Sequence, residues 1–298
     1  MLLLHGDYMK IGVKHYPSTL SPHLSKENTF EGIDEAFQPL RFNRLQQPEE
    51  YWCRESILNY LNLFINSDTI APFNTEQDLL EDVYGFIKAS KRLNSTIAET
   101  ASGSNASGEN KNLNRDIGSV TKIERQVSAE HADLVFKYVS SELGCVEVGL
   151  VDHGPNGTKE LNEKRLKTPK MMRSFCSRIL EQYKTKAVGI RVVGIVISGP
   201  YITVKVMSFN HASVGLVYTS PRLKMPERIT EVARLLPLVL QLVYNCSQII
   251  KGTVKHLEDT STSVTLDSFD DDRINYFPPT FVSVDASKKE SFPAELLA

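Results

Sequence analysis

Two runs of β-forming residues, 132–139 (ADLVFKYV) and 143–151 (LGCVEVGLV), stand only three residues apart. A parallel pairing needs a crossover of a dozen or more residues, so this pair must close as an antiparallel hairpin. Everything else in the chain has to be arranged around that hairpin. A turn cluster, Asp152-His-Gly-Pro-Asn-Gly157, follows it. The spacing of Leu166, Met171, Met172, Phe175, Ile179 and Leu180 then predicts a helix over about 164–183. Three further strands are predicted over 190–197, 201–209 and 214–218, with Ser198-Gly199-Pro200 and Asn210-His211 as the turns of an antiparallel meander. A last helix is predicted from Pro226, suited to a first helical position, to about 257, interrupted by Pro237. Upstream, Pro48 with Glu49 and Glu50 opens a helix that carries Trp52, Ile57, Leu58, Leu61 and Ile65. Thr75, with Asp78 three residues on, caps another, bearing Leu79, Leu80, Val83, Phe86 and Ile87. Strands in runs with covering helices imply an α/β fold, a mixed sheet flanked by helices in three layers.

The chain has 298 residues, 41% of them hydrophobic and 23% charged, enough to bury a core and unlike collagen, a long coiled coil or a wholly disordered chain. We expect one domain over 28–257, an irregular lead-in at 1–27 and a disordered tail at 258–298. The small polar stretch within about 94–118 reads as a flexible insertion. The tail carries Asp270-Asp-Asp272 and Phe277-Pro-Pro279, a candidate contact for a protein partner. The longest apolar stretch, 235–244, is about half of the roughly 20 residues a spanning helix needs, so no membrane is expected. Four separated cysteines with no Cys-x-x-Cys pair, and no secretion signal, suggest reduced buried thiols and an intracellular protein, cytoplasmic or nuclear.

The hairpin also holds the best candidate chemistry. Asp133 lies on its first strand and Glu147 on its second. A symmetric pairing about residues 140–142 would set Asp133 opposite Gly149, Val135 opposite Glu147 and Lys137 opposite Cys145. Asp133 and Glu147 would then be diagonal neighbours on one face. Two carboxylates so placed suit Mg²⁺, which takes oxygen ligands and keeps positions for water and a phosphate. An Asp on one strand and Glu-x-Lys on the next, with a helix behind, is the pattern of the PD-(D/E)XK nucleases. The segment from His131 to Phe209 resembles that superfamily, in His131-Ala-Asp-Leu-Val-Phe and Leu143-Gly-Cys-Val-Glu-Val-Gly above all. The resemblance implies a restriction-endonuclease-like core and a metal site at Asp133 and Glu147. The whole chain also resembles a family of uncharacterised proteins from early-diverging fungi, through Glu142-Leu-Gly-Cys-Val-Glu-Val-Gly-Leu, Leu166-Lys-Thr-Pro-Lys-Met-Met and Val193-Gly-Ile-Val-Ile-Ser-Gly.

Gly149 stands where Glu-x-Lys would place its lysine. Two readings follow. In one the module is degenerate and binds nucleic acid or protein. In the other it is an active Mg²⁺-dependent nuclease whose lysine is displaced to Lys137 or Lys167. Net charge is only −2, so any nucleic-acid surface must be local. Residues 159–191 hold ten basic side chains against three acidic ones, and Lys164, Arg165, Lys167, Lys170 and Arg173 form the candidate phosphate-tracking patch. His131, Asp152 and His153 are weaker ligand candidates. No phosphate-binding loop, serine-hydrolase elbow, zinc-protease helix or kinase signature is present.

Overall fold

The computed structural model describes residues 28–94, 96–112, 126–154, 157, 166–183, 189–211 and 214–259. Helix α1 (Phe30–Phe37) begins at Thr29, whose hydroxyl accepts the Gly32 N–H at 3.2 Å. Helix α2 (Pro48–Leu61) starts at its proline, with Glu49 and Glu50 at the positive end of the helix dipole. A broken helical run follows over residues 76–93. Thr75 caps it by accepting the Asp78 N–H at 3.0 Å. It passes through a π turn, Leu79–Val83, before Gly85–Ala89. Ile57, Tyr60, Leu61, Leu80, Tyr84 and Ile87 are buried in the common hydrophobic core. The Tyr84 hydroxyl donates to Gly199 O at 3.0 Å.

The remaining elements are β1 (Ile97–Gly103), α3 (Asn105–Lys111), β2 (His131–Tyr138), β3 (Ser141–Gly149), α4 (Thr168–Gln182), β4 (Arg191–Ser198), β5 (Tyr201–His211), β6 (Val214–Thr219), β7 (Leu223–Lys224) and α5 (Ile229–Glu258). The sheet runs β1-β2-β3-β4-β5-β6, with β7 also paired to β5. All neighbours are antiparallel except β3 and β4, which are parallel and joined through α4. This is an α/β fold with an open mixed sheet. Helix α4 lies on one face, with α3 beside it, and α5 lies on the other.

Two glycines set close approaches. Gly199, at φ +53, turns β4 back into β5 in a two-residue loop with Pro200. Gly194 lets α4 settle on β4, since a Cβ there would come within 2.4 Å of Thr168 Cγ2 and 2.7 Å of Met172 Sδ. All four cysteines are buried thiols. Helix α5 is the only described helix long and apolar enough to cross a membrane. Its stripe, from Ile229 and Val232 to Val254 and Leu257, lies in the core.

Most elements lie where their periodicity predicts them. The start of α5 differs, because Tyr60 Oη donates to Pro226 O and Ile229 N to Asp68 O. With Arg228 extended at φ −128 and ψ 148, those bonds delay the helix to Ile229, three residues after the proline. A larger correction concerns the stretch read as a flexible insertion. Residues 97–103 form β1, paired along β2, and 105–111 form α3. Composition missed this because the anchor is distant in sequence. The buried Glu142 carboxylate accepts Ser104 Oγ at 2.8 Å, Asn105 N at 2.9 Å and Ala106 N at 3.1 Å. It thereby takes the N–H groups that a helix start leaves open. Glu258, where the tail was expected to start, is the last residue of α5; residues 113–125, the lead-in 1–27, and 260–298 with the Asp270 and Phe277 motifs lie outside the described residues.

Candidate active site

The hairpin closes through Val139 and Ser140, with Tyr138 opposite Ser141. Val135 therefore faces Cys145, and Leu134 faces Val146. The register expected from the sequence, with Val135 opposite Glu147, is out by two residues. A two-residue slip keeps every side chain on its face. It also brings Asp133 level with Glu147 instead of diagonal to it. At this level a side chain takes over from the ladder: Val148 N–H donates to Asp133 Oδ2 at 2.7 Å. That bond fixes the Asp133 carboxylate against β3.

Glu147 is 1% exposed. A carboxylate so deep in the protein needs a partner. Lys167, in the turn that opens α4, donates to Glu147 Oε2 at 2.5 Å. Gly194 makes this contact possible by letting the start of α4 rest on β4, next to the strand that carries Glu147. The lysine stem stays 34% exposed, so the ammonium reaches inward from the rim. The nearby Cys145 thiol is pushed well up, first by burial and then by the Glu147 charge, with Lys167 opposing.

Lys137, the other lysine considered for this role, is not brought to Glu147. Leu143 is an extra residue on β3, and beyond this bulge Lys137 pairs with Glu142. Its ammonium lies 2.5 Å from Glu99 and 4.0 Å from Glu142. Of the basic patch, Lys164 and Arg165 lie outside the described residues. Lys170 and Arg173 are half-buried on α4. Farther along, Arg178 reaches Glu109 of α3 at 2.8 Å, so α3 covers part of a helix that sequence alone presents as a solvated basic face.

His131 and His153 are exposed. Asp152 closes its own turn by accepting Gly154 N at 2.9 Å, and it also pairs with Arg222, which stacks on Tyr201 at 3.8 Å. Among the described residues no three His, Cys, Asp or Glu side chains cluster as a metal site. Sequence reasoning missed Glu142 as a buried anchor, and missed Lys205, which is 7% exposed, shares the face of Glu147 and donates to Thr219 Oγ1 at 3.0 Å. An acid or lysine at an inward strand position was the available signal for both. A cavity of about 790 Å³ lies elsewhere, between α2 and the run 76–93, where Tyr51, Glu55, Asp82 and Arg92 line it. Comparison with protein-family models, curated proteins and solved structures gives no significant match for this chain.

Proposed function

We propose that this protein is a nucleic-acid phosphodiesterase of restriction-endonuclease type, dependent on Mg²⁺, with Lys167 as its displaced lysine. The observation that carries the reading is the 2.5 Å contact between Lys167 Nζ and Glu147 Oε2. It sets an ammonium beside the second acid of the hairpin, although Gly149 occupies the usual lysine position. The order of elements supports the same reading: three antiparallel strands, a covering helix, then a strand parallel to the third.

Asp133 and Glu147 offer the hard oxygen ligands that Mg²⁺ takes. When bound, the metal would supply Lewis-acid charge and an activated water. The chain's own residues do the rest. Val148 N–H orients the Asp133 carboxylate. Glu147 holds the Lys167 ammonium at the rim, where positive charge would stabilise a phosphate as it gains negative charge. The basic side chains of α4 would follow the backbone.

The test is cleavage of DNA and RNA with Mg²⁺ or Mn²⁺ by wild type, Glu147→Gln and Lys167→Met. Cleavage by wild type alone, with each variant down by about 100-fold or more, is the expected result. The second reading is a degenerate module that binds nucleic acid without cutting it. The near-complete burial of Glu147 favours it, because a carboxylate already matched with an ammonium can be purely structural. Under that reading wild type does not cleave but binds at low salt, and the affinity falls steeply as salt rises.

A further inference from the structure

We propose that the hollow between α2 and the run 76–93 is a nucleotide site, with phosphates held at one end and the base toward the other. Its volume, about 790 Å³, is within the usual range for a small-molecule site. It shares no residue with the site at Asp133, Glu147 and Lys167. The floor is apolar and firm: Trp52, Tyr60 and Phe86 line it, none more than 5% exposed, and Trp52 Nε1 donates to Phe86 O at 3.0 Å. Tyr51 is the lining ring that stays half-buried, with surface left for stacking on a flat heterocycle. Gly85 also lines the cavity, and a Cβ there would meet no atom within 4 Å, so that wall is open.

Charge divides the cavity lengthwise. Trp52 meets Phe86, and Tyr60 lines a neighbouring hollow with Leu79 and Val83, so the run passes α2 in the opposite direction. Arg44, just before α2, and Arg92, near the end of the run, therefore share one end. Pro48, the first residue of α2, lies there too and brings the positive end of the helix dipole. Asn59, Glu81 and Asp82 stand at the other end. The two acids are carried by the π turn Leu79–Val83, a helix irregularity that recurs at functional sites. Glu55, between the ends, is matched by Arg54 at 2.5 Å, so it does not neutralise the arginines.

One ligand chemistry answers all three features. Guanidiniums take phosphate oxygens through paired N–H donors. The rings take a flat base, and Asn59 and Asp82 meet the amino and ring groups on its edge. Free phosphate would leave the rings and the far end unused, and an aliphatic acid would leave the rings unused. A longer nucleic-acid strand would carry further phosphates onto Glu81 and Asp82, which repel them. Pro48 and Asn59 are eleven residues apart on α2, about 17 Å of helix, which gives room for a base, a sugar and a diphosphate.

Trp52 is the chain's one tryptophan, so its fluorescence reports on this cavity directly. The test is a titration of the full chain with ADP from roughly 1 μM to 5 mM, repeated by calorimetry. EDTA is present, so that binding does not run through a divalent ion at Asp133 and Glu147. A saturable change is expected, with adenosine and pyrophosphate each weaker than ADP by about tenfold or more. Arg92→Gln should weaken ADP by about tenfold. Gly85→Leu should abolish binding by filling the open wall. Gly85 opens a helical segment without a positive φ, so leucine is tolerated there, and an unchanged melting temperature checks this. Lys167→Met should leave ADP binding as it is. No saturable change with ADP would overturn the site, as would undiminished binding by Gly85→Leu or loss of binding by Lys167→Met. Pyrophosphate bound as tightly as ADP would also overturn it, leaving only a patch of positive charge.

Discussion

The two faces of the central sheet are built from different chemistry. Under α5 lie Leu134, Phe136, Val146, Val148, Val193, Ile195, Ile197, Ile202 and Val204, with Gly144 in the middle. Under α4 and α3 lie Asp133, Lys137, Glu142, Glu147, Thr203 and Lys205 among Val135, Cys145, Val196 and Met207. One face is held by apolar burial, which is indifferent to direction. The other buries charge, and each charge must be met by a particular group: Glu142 by the start of α3, Glu147 by Lys167, Lys205 by Thr219. A fold needs only the first kind of face. The second kind is expensive to build, and it fixes particular elements in place, as Glu142 does α3 and Glu147 the turn before α4.

The comparison breaks first if the apolar face is not the main source of stability. Phe136 is 2% exposed and packs beside Gly144 beneath α5. Phe136→Ala should cost about 3–5 kcal/mol, read from urea unfolding, with nuclease or binding activity retained in the fraction that stays folded. Glu142→Ala comes next, at about 3 kcal/mol, because three donors lose a charged acceptor in a buried place. Its signature is local. Hydrogen exchange should quicken over 105–111 before the rest of the sheet. Uniform quickening would mean that Glu142 does not organise α3.

That anchor also shows what the sequence could not disclose. Pro48 and Thr75 announce their helices because caps act within four residues, and the strands announce themselves by alternation. The stretch of Ser, Gly, Asn and Ala around 100–110 has one such local signal, the Ser104 hydroxyl accepting the Ser107 N–H at 3.0 Å, but that serine and the two N–H groups after it are held by a distant carboxylate, Glu142. The hairpin register was hidden for a related reason. Its turn residue is Val139, with neither Gly nor Asn to mark the bend, and Leu143 adds a bulge. Asp133 and Glu147 were still legible as partners on one face, because a slip of two residues preserves parity. Lys167 was legible only as one of two lysines that could reach Glu147, and it is the one that pairs with it.

The polar face can be probed without removing a charge. Gly194→Ala sets a methyl against Thr168 and Met172, so α4 must lift or repack, costing about 2 kcal/mol. Lifting α4 should draw Lys167 away from Glu147, so any cleavage should fall further than stability does. If activity and stability fall together, Lys167 is not a functional group. Lys167→Met should cost about 2 kcal/mol of stability, because it leaves the Glu147 carboxylate buried without its ammonium, a loss softened by the third of the lysine side chain that is in water. Cleavage or binding should nonetheless be lost. A stability loss well above that, with activity kept, would return the ion pair to a purely structural role.

The smallest effect should be a gain, and it separates the hairpin from both faces. Val139 has φ 53 and is 78% exposed at the tip of the turn. A β-branched residue is strained there, because its Cβ crowds the backbone in the left-handed region. Gly carries no such penalty but loses more entropy on folding. Val139→Gly should therefore stabilise by about 0.5–1 kcal/mol, seen as a higher urea midpoint at unchanged slope. Because Val139 lies on neither buried face, activity should not move. A loss of stability would mean that the turn draws on contacts of the valine side chain, and that the register which sets Asp133 level with Glu147 depends on them.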